Sequence, residues 1–138
     1  YGGGVPNNIP ELENEVRLFY KQMFWNRFWG DKITDQDVAN ELFDTGVNMG
    51  VGRTVKFLQR ALNYLNRNQT SWQDIVEDGG MGPGTYTALE QCLGKGDGRY
   101  LYNTINILQG MHYLEYMKKS PTQERFARGW LNRVNIKK

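Results

Sequence analysis

Apolar residues recur at helical spacing through most of the chain. Val16, Phe19, Tyr20, Met23 and Phe24 follow the i, i+3, i+4, i+7, i+8 pattern, so a first helix with one buried face is predicted. Pro10 suits its first turn, Glu11, Glu13 and Glu15 suit its dipole-favoured start, and Gly30 ends it after Trp25, Phe28 and Trp29. Thr34 and Asp37 approximate a capping box for a second helix carrying Val38, Leu42 and Met49. A glycine corner, Gly50 to Gly52, leads to a third helix with Val55, Leu58, Leu62 and Leu65. Gly50 suits a left-handed helix stop, and Gly52 lets the chain turn without a Cβ clash.

Beyond Leu65 the pattern gives way to a polar loop, Asn66 to Ser71, and a short extended segment, Trp72 to Val76. Asp78 to Thr85 holds the densest turn chemistry, with Pro83 opening a fourth helix that carries Tyr86, Leu89 and Leu93 and stops at Gly94. The longest helix runs from Arg99 to Lys119, with Leu101, Ile105, Leu108 and Met111 as one stripe. Apolar residues on its other faces predict a central helix touched by several neighbours. Ser120, Pro121 and Gln123 open a last helix that buries Phe126, Trp130 and Val134 and ends in Lys137 and Lys138. The sum is an all-α fold of about six helices. Residues 1–10, rich in Gly, Asn and Pro, are loop.

Length narrows this to one domain with a real core, since 138 residues are few for two. A net charge of +2 is too balanced for a dedicated nucleic-acid binder, but compatible with weak attraction to a polyanionic wall. No apolar run reaches membrane-spanning length. Cys92 is the lone cysteine and excludes an internal disulfide; it belongs at a helix end as a small buried residue. His112 is the lone histidine, with no Cys nearby, and offers no metal set. No cofactor is implied.

Candidate chemistry is sparse. The Gly79 to Thr85 run has the glycines of a phosphate loop but no lysine. One histidine within a helix does not assemble a nucleophilic triad. Glycoside hydrolysis needs only carboxylates, one of them kept protonated. Glu11, Glu13 and Glu15 read as a solvated helix start rather than such a pair. Asp44 and Asn48, four apart, share one helix face just before the corner. They either line a cleft that hydrogen-bonds a polar ligand or satisfy loose backbone groups at the corner. Glu41, one turn earlier, is expected to face water.

Four ordered blocks carry a resemblance. They are Leu42 to Gly50; Leu58-Gln59-Arg60; Asp78-Gly79 through Gly82-Pro83-Gly84-Thr85; and Gly129-Trp130-Leu131-Asn132-Arg133. Together they resemble the peptidoglycan-binding region of the glycoside hydrolase 108 family, lysozyme-like N-acetylmuramidases found as phage endolysins and as "secretion activator" proteins. The aromatic helix Tyr20 to Trp25 resembles the helix that precedes that region in the family. The resemblance implies a lysozyme-like helical domain whose partner is the peptidoglycan glycan strand, with residues 1–33 as linker and first helix and 34–138 as the binding region. It implies a bacterial or phage-encoded protein, held in the cytoplasm until released to the wall or periplasm.

By the same resemblance the general-acid glutamate belongs to a Glu-Gly-Gly motif followed by a segment ending in an aromatic-Gly pair. Tyr1-Gly2 matches the end of that segment, and no Glu-Gly-Gly occurs in the sequence. The catalytic glutamate is therefore expected upstream of Tyr1, and no residue of these 138 takes its place. Gly3 to Pro10 departs from the family's spacing. On the cleft wall the resemblance places Asp44 and Asn48, then Thr85, Tyr86 and Trp130. Trp130 is equally a core residue, and the turn before Thr85 is equally a plain helix entry. A non-catalytic wall-binding module and a helical interaction domain remain alternatives; the latter predicts an exposed apolar face and no affinity for glycan.

Overall fold

A computed structural model describes residues 9–138, so the expected loop over residues 1–10 lies outside the described residues except at Ile9 and Pro10, which are helical rather than loop. The fold is all-α. Helices α1 (Ile9–Tyr20), α2 (Gln36–Met49), α3 (Val51–Leu65), α4 (Pro83–Gly94), α5 (Gly98–Lys119) and α6 (Ala127–Leu131) follow in order, and no strand occurs among the described residues. As the apolar pattern predicts, α5 is central and touches α2, α3, α4 and α6. Val38 and Leu42 of α2, Val55, Leu58 and Leu62 of α3, Leu89 of α4, and Leu101 and Ile105 of α5 are fully buried in one core. Cys92 lies inside it near the end of α4, where burial pushes its thiol up to about 12.

Several expected boundaries move. Helix α1 loosens at Tyr20 into a π turn (Lys21–Trp25) and a 3₁₀ turn (Asn26–Phe28). The stop is Trp29, in the left-handed region at φ 58°, one residue before Gly30. The apolar face of α1 is largely uncovered: Val16, Leu18, Phe19 and Met23 are 46–55 % exposed. Ring contacts of Tyr20, Phe24 and Trp25 with Phe43, and Phe28 packed against Gly46, tie the end of α1 and the turns after it to α2. Periodicity identifies residues that share a face, but does not supply a neighbour for it.

The cap of α2 is Asp35 rather than Thr34. Its carboxylate accepts from Val38 N at 3.1 Å, while the Thr34 hydroxyl donates to Glu90 instead. Gly50 has positive φ (89°), as a helix stop requires, but ψ 151° makes it extended rather than left-handed helical. Gly52 lies inside α3, where a Cβ would meet nothing, so it is not the turning residue. Met111 is 47 % exposed, and the buried positions of α5 include Tyr102, Asn106 and Gln109 instead.

The last helix ends at Leu131, and neither it nor the preceding 3₁₀ segment (Pro121–Phe126) contains a buried residue. Asn106 and Asn103 of α5 draw the terminal residues alongside: Asn135 N donates to Asn106 Oδ1 at 2.8 Å and Lys137 N to Asn103 Oδ1 at 2.7 Å. These side-chain acceptors replace helical ones. Lys137 pairs with Asp37 across the fold instead of finishing a helix dipole.

The segment between α3 and α4 is extended in part, yet it pairs with no strand. It is pinned by one amide stripe of α3, Gln59, Asn63 and Asn66, at i, i+4 and i+7. Asn63 binds both backbone groups of Ile75, at 2.8 and 2.9 Å. Asn66 holds Asp74 and the Gln69 amide. Gln59, buried, accepts from Gly79 N at 2.9 Å and turns its Nε2 toward Asp78 Oδ1, Gly80 O and Thr85 Oγ1 at 3.0–3.1 Å. Gly79 is needed twice over. Its φ is +78°, and a Cβ there would lie 2.8 Å from Gly52 O.

Gln59→Ala strands buried partners on both sides of this network, and a loss of about 3 kcal/mol is expected by urea denaturation. Gly79→Ala is expected to cost at least ~1 kcal/mol through its backbone conformation alone.

Candidate functional site

The C-terminal half of α2 runs beside α5, and the stretch after α6 closes over their seam. A hollow of about 620 Å³ opens there, bordered by Tyr20, Glu41, Asp44, Asn48, Gln109 and Arg133 among others. Two of the residues expected on a cleft wall, Asp44 and Asn48, do line it. The corner does not use them. Gly50 N bonds to Gly46 O at 2.8 Å, and Gly50 O accepts from the amide and hydroxyl of Thr54. Asp44 has no hydrogen-bond partner among the described residues, and burial raises its carboxyl above the usual range. The Asn48 oxygen accepts from the Arg133 guanidinium, which leaves the Asn48 amide N–H groups for the hollow.

The strongest surprise is Glu41. It does not face water: it is only 7 % exposed. Helical periodicity explains this, since Glu41 shares a face with Val38 and Thr45, and α5 covers that face. The Thr45 hydroxyl donates to its Oε1 at 3.2 Å, and the polar side chains of Asn106 and Tyr102 nearby favour its charged form. Burial nevertheless dominates, with the charge of Asp44 adding to it, and raises the carboxyl to about 7. The fold therefore shifts Glu41 toward its protonated form. Gln109, also buried, bonds through Nε2 to the Tyr113 hydroxyl, while its Oε1 has no partner among the described residues.

The other expected residues go elsewhere. Thr85 is buried against Gln59, and Tyr86 packs on Trp29 with its hydroxyl donating to Lys32 O. Neither borders the hollow on the α2–α5 seam. Trp130 is half-buried, stacked on Tyr113 at 5.3 Å, and lines an adjoining hollow rather than this one. Glu41, Gln109, Arg133 and Asn135 were not predicted. For Glu41 a signal existed in its place on the buried face of α2, and Arg133 closes the last block of the resemblance; for Asn135 none did, because the pattern continued the last helix through it. Among the described residues no group of three His, Cys, Asp or Glu side chains gathers as a metal site would require. No helix among them is long and apolar enough to cross a membrane.

Two families match this chain. Residues 3–50 match "Glycosyl hydrolase 108", and residues 53–135 match "Predicted Peptidoglycan domain". The two matches meet at the α2–α3 corner, beside the hollow. No curated protein matches the chain. The chain belongs to the glycosyl hydrolase 108 family with its peptidoglycan-binding region.

The raised carboxyl of Glu41 gives a pH signature. Its ordinary value is 4.5 and its value in the fold about 7, so the fold favours the protonated form. That contribution is fully present below pH 4.5, falls as pH rises and is lost above about 7. The wild-type protein is therefore expected to lose on the order of 2–3 kcal/mol between pH 4.5 and pH 8 from this group. Glu41→Gln removes that part of the pH dependence, which urea denaturation at both pH values reads directly.

Proposed function

We propose that this member of the glycosyl hydrolase 108 family is the glycan-holding part of a lysozyme-like muramidase, and that the hollow on the α2–α5 seam grips the peptidoglycan strand. The observation that carries the reading is Asp44. It is a carboxylate without a hydrogen-bond partner among the described residues, on the wall of a hollow of about 620 Å³ at the joint of the two matched segments. Sugars offer many hydroxyl groups and amides but little charge, so recognition rests on directional hydrogen bonds. Asp44 accepts from sugar hydroxyls, and the Asn48 amide donates to sugar oxygens. Buried Glu41 braces the wall behind them.

Glu41 has the raised pKa of a general acid, but it is buried in the wall with the Thr45 hydroxyl on its carboxyl. In this reading it positions the cleft, and no residue of this chain is catalytic. The family's Glu-Gly-Gly motif does not occur in the sequence. The protein acts on bacterial wall, as an endolysin or a host secretion activator, and reaches it by release from the cytoplasm. A second reading, a helical interaction domain, is favoured by the exposed apolar face of α1 and predicts no glycan affinity.

Sedimentation with purified peptidoglycan sacculi separates these readings. The chain is expected to bind the sacculi and to release no reducing ends. Asp44→Ala and Asn48→Ala are each expected to weaken binding by about tenfold. Stability should change by less than about 0.5 kcal/mol for Asp44→Ala, which strands no partner. Unchanged affinity in both folded variants would remove the hollow from glycan recognition.

A further inference from the structure

The hollow on the α2–α5 seam does not end at Asn48. A second one, about 270 Å³, adjoins it, and Asn48 and Arg133 border both. Its chemistry is the reverse of the first. Arg53 enters from the first turn of α3, His112 and Tyr116 from α5, Trp130 from α6 and Arg133 from the stretch beyond, and no carboxylate lines it. Neither arginine has an acidic partner among the described residues, where the ion pairs are those of Lys21, Arg67 and Lys137. Burial first, then the charges of Arg53 and Lys119, holds His112 below its ordinary range, so the surroundings are positive on balance.

Two guanidinium groups with no acidic partner among the described residues line one recess and repel each other, and a bound anion relieves that repulsion. A guanidinium fork matches a carboxylate in shape as well as charge. The opposite wall is aromatic. Trp130 stacks on Tyr113 at 5.3 Å with an 11° interplanar angle, and Tyr116 meets its edge. Such a wall excludes water on one side and strengthens charge pairing within the recess. A peptidoglycan strand combines both chemistries: neutral N-acetylated sugars, and short peptide stems bearing free carboxylates.

We infer that the second hollow binds a carboxylate of the peptide stem while the sugars of the same strand occupy the first. Arg133 joins the two subsites by orienting Asn48 on one side and facing the stem on the other. The protein would thus select wall glycan that carries stems over unsubstituted polymers of N-acetylated sugar. This inference rests on the glycan-binding reading above.

The test compares binding of the full chain to native sacculi and to the same sacculi with their carboxylates converted to primary amides. Wild-type protein is expected to prefer native sacculi by about tenfold. The double variant Arg53→Gln/Arg133→Gln is expected to bind both preparations alike, no more tightly than wild type binds the amidated sacculi. A control of equal charge loss away from the recess, Lys95→Gln/Lys118→Gln, should retain the preference. Equal wild-type binding to both preparations overturns the stem site and leaves the glycan reading intact. A preference that survives the arginine double variant, or is lost equally in the lysine control, also overturns it. Binding to neither preparation overturns the glycan reading itself.

Discussion

The amide stripe on α3 is the constraint on which the arrangement depends. Residues 66–82 form no helix and no strand pair, and still run against the core with Trp72 buried. Backbone groups in such a stretch must be satisfied or the burial is lost. Gln59, Asn63 and Asn66 do this from one face, each presenting donor and acceptor together as a neighbouring strand would. The Trp72 indole adds a bond to Leu62 O at 3.1 Å. With that stretch fixed, Thr85 and the start of α4 are fixed with it. The Leu58-Gln59-Arg60 and Asp78 to Thr85 blocks are distant in sequence, yet they form one structural lock.

A second buried polar stripe, on α5, builds the candidate site. Asn103 and Asn106 anchor the chain end, while Tyr102, Asn106 and Gln109 face the seam beneath Glu41. The chain end in turn brings Arg133 to Asn48. A fully apolar α5 would seal that seam and leave the C-terminal residues unattached. The cost is visible at Glu41, whose ionised form is disfavoured by burial despite its hydrogen bonds. Buried polar groups with incomplete pairing, such as Gln109 Oε1, are tolerated where a wall must remain polar.

The two hollows differ in charge for a related reason. Helix α2 contributes the acids of the first, Glu41 and Asp44, on successive turns of one face. The second lies past the end of α2, where the helix has no further carboxylate to offer and Arg53 opens α3. Asn48 and Arg133 stand on the boundary. A neutral amide there suits both sides, because its oxygen accepts from the guanidinium and its N–H groups remain free.

The helices were legible because apolar spacing, prolines and glycines act locally. Val38 with Leu42, and Val55 with Leu58 and Leu62, identify core faces whatever lies opposite them. Asp44 and Asn48 were legible as a pair because four residues make one helical turn. What the spacing left undetermined was the neighbour. The face of α1 reads as buried and is exposed; Glu41 reads as solvated and is enclosed by α5. The terminal stretch reads as helix, but the carboxamides of Asn103 and Asn106 offer its backbone closer partners than another helical turn would. Sequence by itself determined which residues share a face and where local turn chemistry interrupts a helix. Tertiary structure alone decided which faces meet, and hence which carboxyl is desolvated and which arginines are left unpaired, because those properties depend on through-space distances that local periodicity does not encode.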